Sequence, residues 1–204
     1  MVDTQLRRRG IRDQRVLQAM SLIPRHEFVP PESRILAYQD DPVPIAEGQT
    51  ISQPYMTALM AEALQLRGSE SVLEVGAGSG YASAVLGELA AHVIALEIRP
   101  ALAQFARDNL RRTLRDRNIQ IITGDGSLGY PAAAPYDAIF VAAGAPDIPE
   151  ALLAQLNDPG VLVIPVGDLK DQELRVVTRR EGRIESRVPT LCRFVPLRGQ
   201  EGWN

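Results

Sequence analysis

The chain has 204 residues, 45% of them hydrophobic and 23% charged, which is the usage of a folded globular domain and excludes a disordered or fibrous chain. With 22 basic and 25 acidic side chains the net charge is −3, so a nucleic-acid phosphate backbone is not an expected partner. The single cysteine, Cys192, excludes an internal disulfide and a cysteine-rich zinc centre, and no metal is expected.

In chain order, the N-terminal Met-Val-Asp-Thr-Gln-Leu-Arg-Arg-Arg lacks the apolar stretch of a secretory signal, and no later run is long and apolar enough to span a bilayer. A cytoplasmic protein without membrane contact is therefore expected. Arg7, Arg8, Arg9, Arg12 and Arg15, interleaved with Asp3 and Asp13, read as a solvated helix face. Apolar spacing at Ile11, Val16, Leu17 and Met20 predicts a short helix over residues 11–20. Pro24, Pro30, Pro31, Pro42 and Pro44 then impose turns and extended pieces, so the first fifty residues read as a cap of short elements.

Pro54 suits the first turn of a helix, and Met56, Leu59, Met60, Ala63 and Leu64 form one apolar stripe before Gly68, the expected stop. Apolar runs then alternate with helical patterns: strand 71–75, helix 81–90, strand 92–97, helix 101–115, strand 118–123, strand 136–141, helix 149–156 and strand 161–165. This alternation implies βαβ units, and so an α/β fold with a mostly parallel, doubly wound sheet covered on both faces. Beyond Gly167, runs 173–180 and 183–195, divided by Glu181-Gly182, predict a hairpin that closes the sheet edge with antiparallel strands. No repeat or linker intervenes. Residues 1–204 are expected to form one domain: a cap with an acceptor loop (1–53), an α/β core (54–167), and a hairpin with a tail (168–204).

Open α/β sheets bind ligands beyond the carboxyl ends of their strands. There, strand 71–75 turns through Gly76-Ala77-Gly78-Ser79-Gly80, whose glycines permit a tight turn and close approach of a ligand to the main chain. Glu97 ends the next strand, about 20 residues beyond Gly76, where a carboxylate accepts hydrogen bonds from ribose hydroxyls. The spacing is G-x-G-x-G, unlike the G-x-G-x-x-G that cradles a pyrophosphate, and Glu74 beside it suits a cationic ligand. S-adenosylmethionine carries a sulfonium and an ammonium but no phosphate, which fits both departures. At a third strand end, Gly124-Asp125-Gly126 offers a short acid that can accept from an amino group such as adenine N6, although Asp-Gly also marks ordinary turns. The candidate cofactor residues are thus Glu74, Gly76, Gly78, Gly80, Glu97, Asp125 and Gly126.

The chain resembles the protein-L-isoaspartate (D-aspartate) O-methyltransferase family of class I methyltransferases. The resemblance runs through Ile23-Pro24-Arg25-His26-Glu27-Phe28-Val29-Pro30, Gly48-Gln49-Thr50-Ile51-Ser52-Gln53-Pro54-Tyr55, the glycine turn, Gly124-Asp125-Gly126, Ala134-Pro135-Tyr136-Asp137-Ala138-Ile139, Arg193-Phe194-Val195-Pro196-Leu197 and a Glu201-Gly202-Trp203 tail. The segments around Gln49–Tyr55 and Phe194–Leu197 are its specific parts; the glycine motif is shared by methyltransferases at large. Ala46, Ala142 and Pro159 depart from a usual glycine, a frequent threonine and a frequent Gly-Gly pair. The resemblance implies a Rossmann-like class I methyltransferase fold, S-adenosylmethionine as methyl donor with S-adenosylhomocysteine as product, and isoaspartyl or D-aspartyl residues of damaged peptides and proteins as acceptors. Methylation of their free carboxylate initiates repair through a succinimide.

The resemblance also implies roles for residues. Ser52 contacts the acceptor carboxylate as the catalytic residue; its alternative is to cap the helix at Pro54. The acceptor peptide lies between Thr50, Ile51, Gln53 and Pro54 on one side and a strand containing Arg193, Phe194 and Val195 on the other. Arg193 either orients a carboxylate or is a solvated edge residue, His26 reads as structural, and Cys192 reads as a packed thiol. A carboxylate with a reference pKa of about 4 is already ionised at neutral pH, so methylation needs no general base, only positioning and removal of water. Two other readings stand beside this one: a methyltransferase of the same fold acting on a different carboxylate, and an S-adenosylmethionine-binding protein without turnover. A nicotinamide oxidoreductase is disfavoured by the glycine spacing. A monomer is assumed by default.

Overall fold

The computed structural model describes residues 1–113 and 118–203 of the chain. The N-terminus forms a π-helical turn, Val2–Arg7, which the periodicity of the sequence does not announce. Helix α1 (Gln14–Leu22) starts later than the expected residue 11 because Asp13 caps it, its carboxylate accepting from Arg15 N (2.8 Å) and Val16 N (3.4 Å). It ends where Ile23, preceding Pro24, is driven to extended backbone. The arginine cluster is not simply a solvated face. Arg15 donates to the carbonyls of Leu66 (2.6 Å) and Leu89 (2.9 Å), and Arg9 pairs with Asp40 while stacking 3.5 Å from the centre of the Tyr55 ring.

Strands β1 (Val43–Pro44) and β2 (Thr50–Ile51) pair antiparallel, so the acceptor segment expected as a loop is partly fixed as a small hairpin. Helix α2 (Pro54–Ala63) opens with Pro54 in its first turn, as expected, but stops short of Gly68. Leu64 N and Gln65 N close tight bonds on Ala61 O and Glu62 O, and Gln65 (φ +55°) takes a left-handed conformation just past the helix end.

The core follows as β3 (Ser71–Val75), α3 (Tyr81–Leu89), β4 (His92–Glu97), α4 (Pro100–Thr113), β5 (Ile119–Thr123), β6 (Tyr136–Val141), α5 (Glu150–Ala154), β7 (Leu156–Gly167), β8 (Gln172–Arg180) and β9 (Arg183–Cys192). The end of the helix expected over 101–115 lies outside the described residues. One seven-stranded sheet has the order β5-β4-β3-β6-β7-β8-β9, parallel from β5 to β7 and antiparallel from β7 to β9. This is the mostly parallel α/β sheet that the alternating pattern implied, and it agrees with the Rossmann-like fold that the resemblance implied.

Two boundaries differ from expectation for physical reasons. Strand β7 begins at Leu156 instead of 161, because Leu156 pairs with Tyr136 and the Asp158 carboxylate accepts from the amides of Glu181 (2.8 Å) and Gly182 (2.6 Å) in the β8–β9 turn. Strand β9 ends at Cys192 instead of 195. The Gln172 side chain takes both Phe194 N (2.7 Å) and, at 3.4 Å, Phe194 O, and the chain then crosses to Gly144, which donates to Val195 O and accepts from Leu197 N (2.8 Å each). The segment 193–197 is thus held by the Gln172 side chain and an isolated bridge to Gly144, and not by a strand ladder.

Alternate residues of the central strands enter different cores. Val72, Ala138 and Phe140 pack with the cap and helices α1 to α3, whereas Leu73, Val75, Ile139 and Val141 pack with α5 and the tail. Because β4 and β5 lie on one side of β3 while β6 and β7 lie on the other, the winding reverses beside β3 and a crevice opens at the carboxyl ends of β3 and β6. Among the described residues no helix is long and apolar enough to cross a membrane.

Gly80 precedes α3 with φ +84°, and a Cβ added there would meet the backbone of Ala106 at 3.3 Å. Gly80→Ala should therefore cost about 1–3 kcal/mol, read as a lower urea midpoint at unchanged m-value.

Candidate active site

The turn between β3 and α3 uses its own amides. Gly76 N and Ala77 N donate to Leu96 O (2.9 and 3.0 Å), Gly80 N donates to Ala77 O (2.8 Å), and Gly78 N donates to a Glu97 carboxylate oxygen (2.9 Å). From below, the buried Asn109 side chain donates to Ser79 O (2.9 Å). A phosphate cradle needs such amides pointing outward; here four of them are committed internally, so the turn fits an uncharged nucleoside edge better than a pyrophosphate. The second Glu97 oxygen accepts from Arg99 N (3.0 Å). Glu97 is thereby fixed and nearly buried at the end of β4, in the wall of the cleft, where its remaining lone pairs suit ribose hydroxyls. The residues present fit S-adenosylmethionine in this respect.

Glu74 and Asp125 are placed otherwise than the sequence suggested. Glu74 is fully buried behind the turn, one oxygen accepting from the Ser83 hydroxyl and the other without a partner, and it does not line the cleft. Burial pushes its pKa up to about 8; the Ser83 hydrogen bond opposes the shift and the nearby Glu97 charge adds to it. Asp125 accepts from Ser127 N (2.9 Å) and Ser127 Oγ (2.7 Å) with one oxygen and from Gln200 N (2.8 Å) with the other. Its carboxylate therefore fixes the tail, and Gly126 beside it forms part of the cleft wall.

Two concave regions meet at this sheet edge. The first is lined by Gly76, Gly78, Glu97 and Gly126 together with Thr50, Ile51 and Ser52 from the cap. The second, lined by Arg9, Gln53, Tyr55, Cys192, Arg193 and Phe194, runs outward between the cap and the end of β9. Thr50, Ser52, Ala142 and Val195 belong to both. No side chain caps α2, whose N-cap is Gln53, so the capping alternative for Ser52 is not what the structure adopts. Pro54 lines neither region and serves the first turn of α2, and Gly80 acts as the conformational hinge before α3. Arg193 lies on the rim, its Nε donating to Lys170 O (2.7 Å) and its charge 3.7 Å from Asp171. His26 bonds Tyr38 and neighbours Glu27 on the cap surface, a structural placement. Burial pushes the Cys192 thiol up to about 11, so it stays protonated and unreactive.

Arg9 and Tyr55 in the second groove, and Ile98, Arg99 and Arg198 in the first, are not among the site residues expected from the sequence. Ile98 and Arg99 follow directly on Glu97, a position that could have been inferred from the strand end. Arg9 carries no such signal, because its place depends on a tertiary contact with Asp40 and Tyr55.

Residues 1–202 match the family model described as protein-L-isoaspartate(D-aspartate) O-methyltransferase. A protein-L-isoaspartate O-methyltransferase of Methanoculleus marisnigri is 52% identical over 205 aligned positions, covering all of this chain and 92% of that one. A namesake from Methanopyrus kandleri is 54% identical, covering 95% of this chain and 87% of the relative. Among solved structures, a Plasmodium falciparum protein titled a putative protein-L-isoaspartate O-methyltransferase, in complex with S-adenosyl-L-homocysteine, superposes with a TM-score of 0.83 at 29% identity, covering 97% of this chain and 96% of that one.

The buried Glu74 makes stability depend on pH. Its folded-state pKa of about 8 lies above the ordinary 4.5, so its favourable contribution is complete below pH 4.5 and is lost as pH rises through 8. Glu74→Gln mimics the protonated form and should flatten this part of the profile. Urea midpoints of the two proteins should diverge in favour of the variant between pH 5 and pH 8.5, and a constant difference would contradict the assignment.

Proposed function

Because the chain belongs to the protein-L-isoaspartate (D-aspartate) O-methyltransferase family, we propose that methyl transfer takes place where its two clefts meet, with Ser52 holding the acceptor carboxylate. The chain is an S-adenosylmethionine-dependent protein carboxyl O-methyltransferase. It methylates the free carboxylate of isoaspartyl and D-aspartyl residues in damaged proteins, and the ester initiates repair through a succinimide.

The observation that carries the site assignment is the overlap of the clefts at Thr50, Ser52, Ala142 and Val195. A group held at Ser52 is in reach of both. S-adenosylmethionine, when bound, supplies a methyl group on a positively charged sulfur. Glu97 would hold its ribose hydroxyls, and the backbone of Gly76 and Gly78 would form the wall it lies against. The acceptor main chain would run along the outer groove past Gln53, Arg193 and Phe194.

The chemistry asked of the residues is modest. The acceptor is ionised at neutral pH, so no side chain removes a proton. The Ser52 hydroxyl donates to one carboxylate oxygen and leaves the other free to take the methyl group. Ile51 and Val195 exclude water from an encounter in which opposite charges cancel, and that cancellation is favoured in a dry site. The proposal extends to a cytoplasmic enzyme acting without membrane or nucleic acid, in keeping with the net charge of −3.

One peptide prepared in isoaspartyl and normal aspartyl forms tests the acceptor. Tritiated methyl should pass to the isoaspartyl form alone and be released as base-labile methanol; labelling of neither form, with S-adenosylhomocysteine still bound, would refute the activity. Ser52→Ala should lower kcat about a hundredfold and change S-adenosylhomocysteine affinity by less than about twofold. Equal losses in both would count against the role given to Ser52.

A further inference from the structure

The surroundings of Arg25 are unusual. Its side chain is fully buried. Nε donates to Ala37 O (2.6 Å) and Nη2 donates to Ser52 O (2.7 Å), while Nη1 has no hydrogen-bond partner among the described residues. The guanidinium lies over the Tyr81 ring, 4.7 Å from its centre, at the first residue of α3. Tyr81 is no counter-charge, since burial raises its phenol to about 12 and keeps it neutral. Among the described residues no carboxylate lies within ion-pair distance of Arg25. Asp40, whose charge reaches it, is already engaged by Arg9 and by Tyr55 N (3.1 Å).

Buried charges are ordinarily paired, because removing one from water without compensation is unfavourable. Tying the Ala37 carbonyl to the Ser52 carbonyl requires two N–H donors and no charge. The positive charge and the third donor group of Arg25 exceed that structural task. What they have in common is their place behind the peptide that carries Ser52.

We propose that Arg25 is the positioning residue of the acceptor site: it fixes the Ser52 peptide through its carbonyl and gives the site a buried positive charge that is balanced when an anionic acceptor binds. The inference rests on the reading of Ser52 as the residue that holds the acceptor. In a poorly screened interior such a charge acts over several ångströms. It favours a carboxylate over its uncharged amide, and it does nothing to attract the cationic methyl donor. The charge therefore serves selection of the acceptor and not retention of the cofactor.

The test compares Arg25→Gln, which is neutral and keeps a donor, with Arg25→Lys, which keeps the charge; Arg25→Met is a second neutral variant should the glutamine protein fail to fold. For each, kcat and KM are measured with an isoaspartyl peptide, together with the affinity for S-adenosylhomocysteine. Inhibition by the same peptide carrying isoasparagine, the neutral amide, is measured in parallel. The neutral variants should raise KM about tenfold or more, lose the preference for the anionic peptide over the amide, and bind S-adenosylhomocysteine as the wild type does. The lysine variant should recover most of KM and of that preference. Unchanged KM in the neutral variants, or losses of peptide and S-adenosylhomocysteine affinity in equal measure, would overturn the proposal. If Ser52→Ala retains full turnover while the neutral Arg25 variants still lose selectivity, the reading of Ser52 falls and the charge effect stands. If Ser52→Ala loses turnover and the neutral Arg25 variants keep both KM and selectivity, the reverse holds.

Discussion

The site depends on the way the turn after β3 satisfies its own amides. In a parallel sheet the chain must leave each strand, turn, and return as a helix, and the first turn after a central strand normally exposes several N–H groups to whatever lies beyond it. Here Leu96 O takes two of them, Ala77 O takes one, and a Glu97 carboxylate oxygen takes a fourth. The last of these bonds joins two functions. Glu97 stabilises the turn while the turn holds Glu97 still, so the carboxylate at the end of β4 is oriented before any ligand arrives. Positive φ at Gly76, Gly78 and Gly80 makes this geometry accessible at little steric cost.

Around that turn the fold buries ionisable groups with uncommon economy of pairing. Glu74 lies behind the glycines with one carboxyl oxygen unpartnered, and Arg25 lies behind Ser52 with one nitrogen unpartnered. They answer desolvation differently. A carboxyl group becomes neutral by taking a proton at pH values cells experience, as Glu74 does with its pKa of about 8. A guanidinium cannot readily lose its proton, so burial lowers the pKa of Arg25 without abolishing its charge. Tyr81 links this charge to the cofactor side: its ring meets Arg25 and the edge of Phe28 (5.6 Å between centres), and its hydroxyl donates to Met20 Sδ (3.6 Å). The cap is thus packed directly onto the first turn of α3.

Periodicity made the central sheet legible because β3, β4 and β6 are short, mostly apolar runs separated by helices with one apolar face, and their parallel pairing follows from that alternation. It was least informative where backbone groups are satisfied by distant side chains. The end of β9 depends on Gln172 reaching Phe194, and the start of β7 depends on Asp158 reaching the turn at Glu181-Gly182. Neither contact leaves a local pattern. The same distinction applies at the site. Gly76, Gly78 and Glu97 were recognisable because a strand–turn–helix and a strand end require them in sequence order. Asp125 was equally recognisable as an acid in a turn, but the tail that engages its carboxylate is remote in sequence, at Gln200. Arg25 lies within the Ile23–Pro30 segment, and its contacts with Ser52 and Tyr81, both remote in sequence, leave no local pattern.

Methyl transfer to a carboxylate removes charge from the reacting pair, so the site gains from dryness, and dryness requires a roof. In this chain the roof has two sources far apart in sequence: the β1–β2 hairpin that delivers Thr50 and Ile51, and the segment through Val195 and Leu197 that is fastened to Gly144. Trp203 strengthens the second, its backbone N donating to Leu197 O (2.7 Å) and its Nε1 to Gly144 O (3.1 Å). An α/β sheet alone would leave the carboxyl ends of its strands open to water. On the proposed reading the cap and the tail serve the reaction alongside the glycine turn: one surface would orient the nucleoside, and the other two would exclude solvent from the point at which Ser52 is proposed to hold the acceptor.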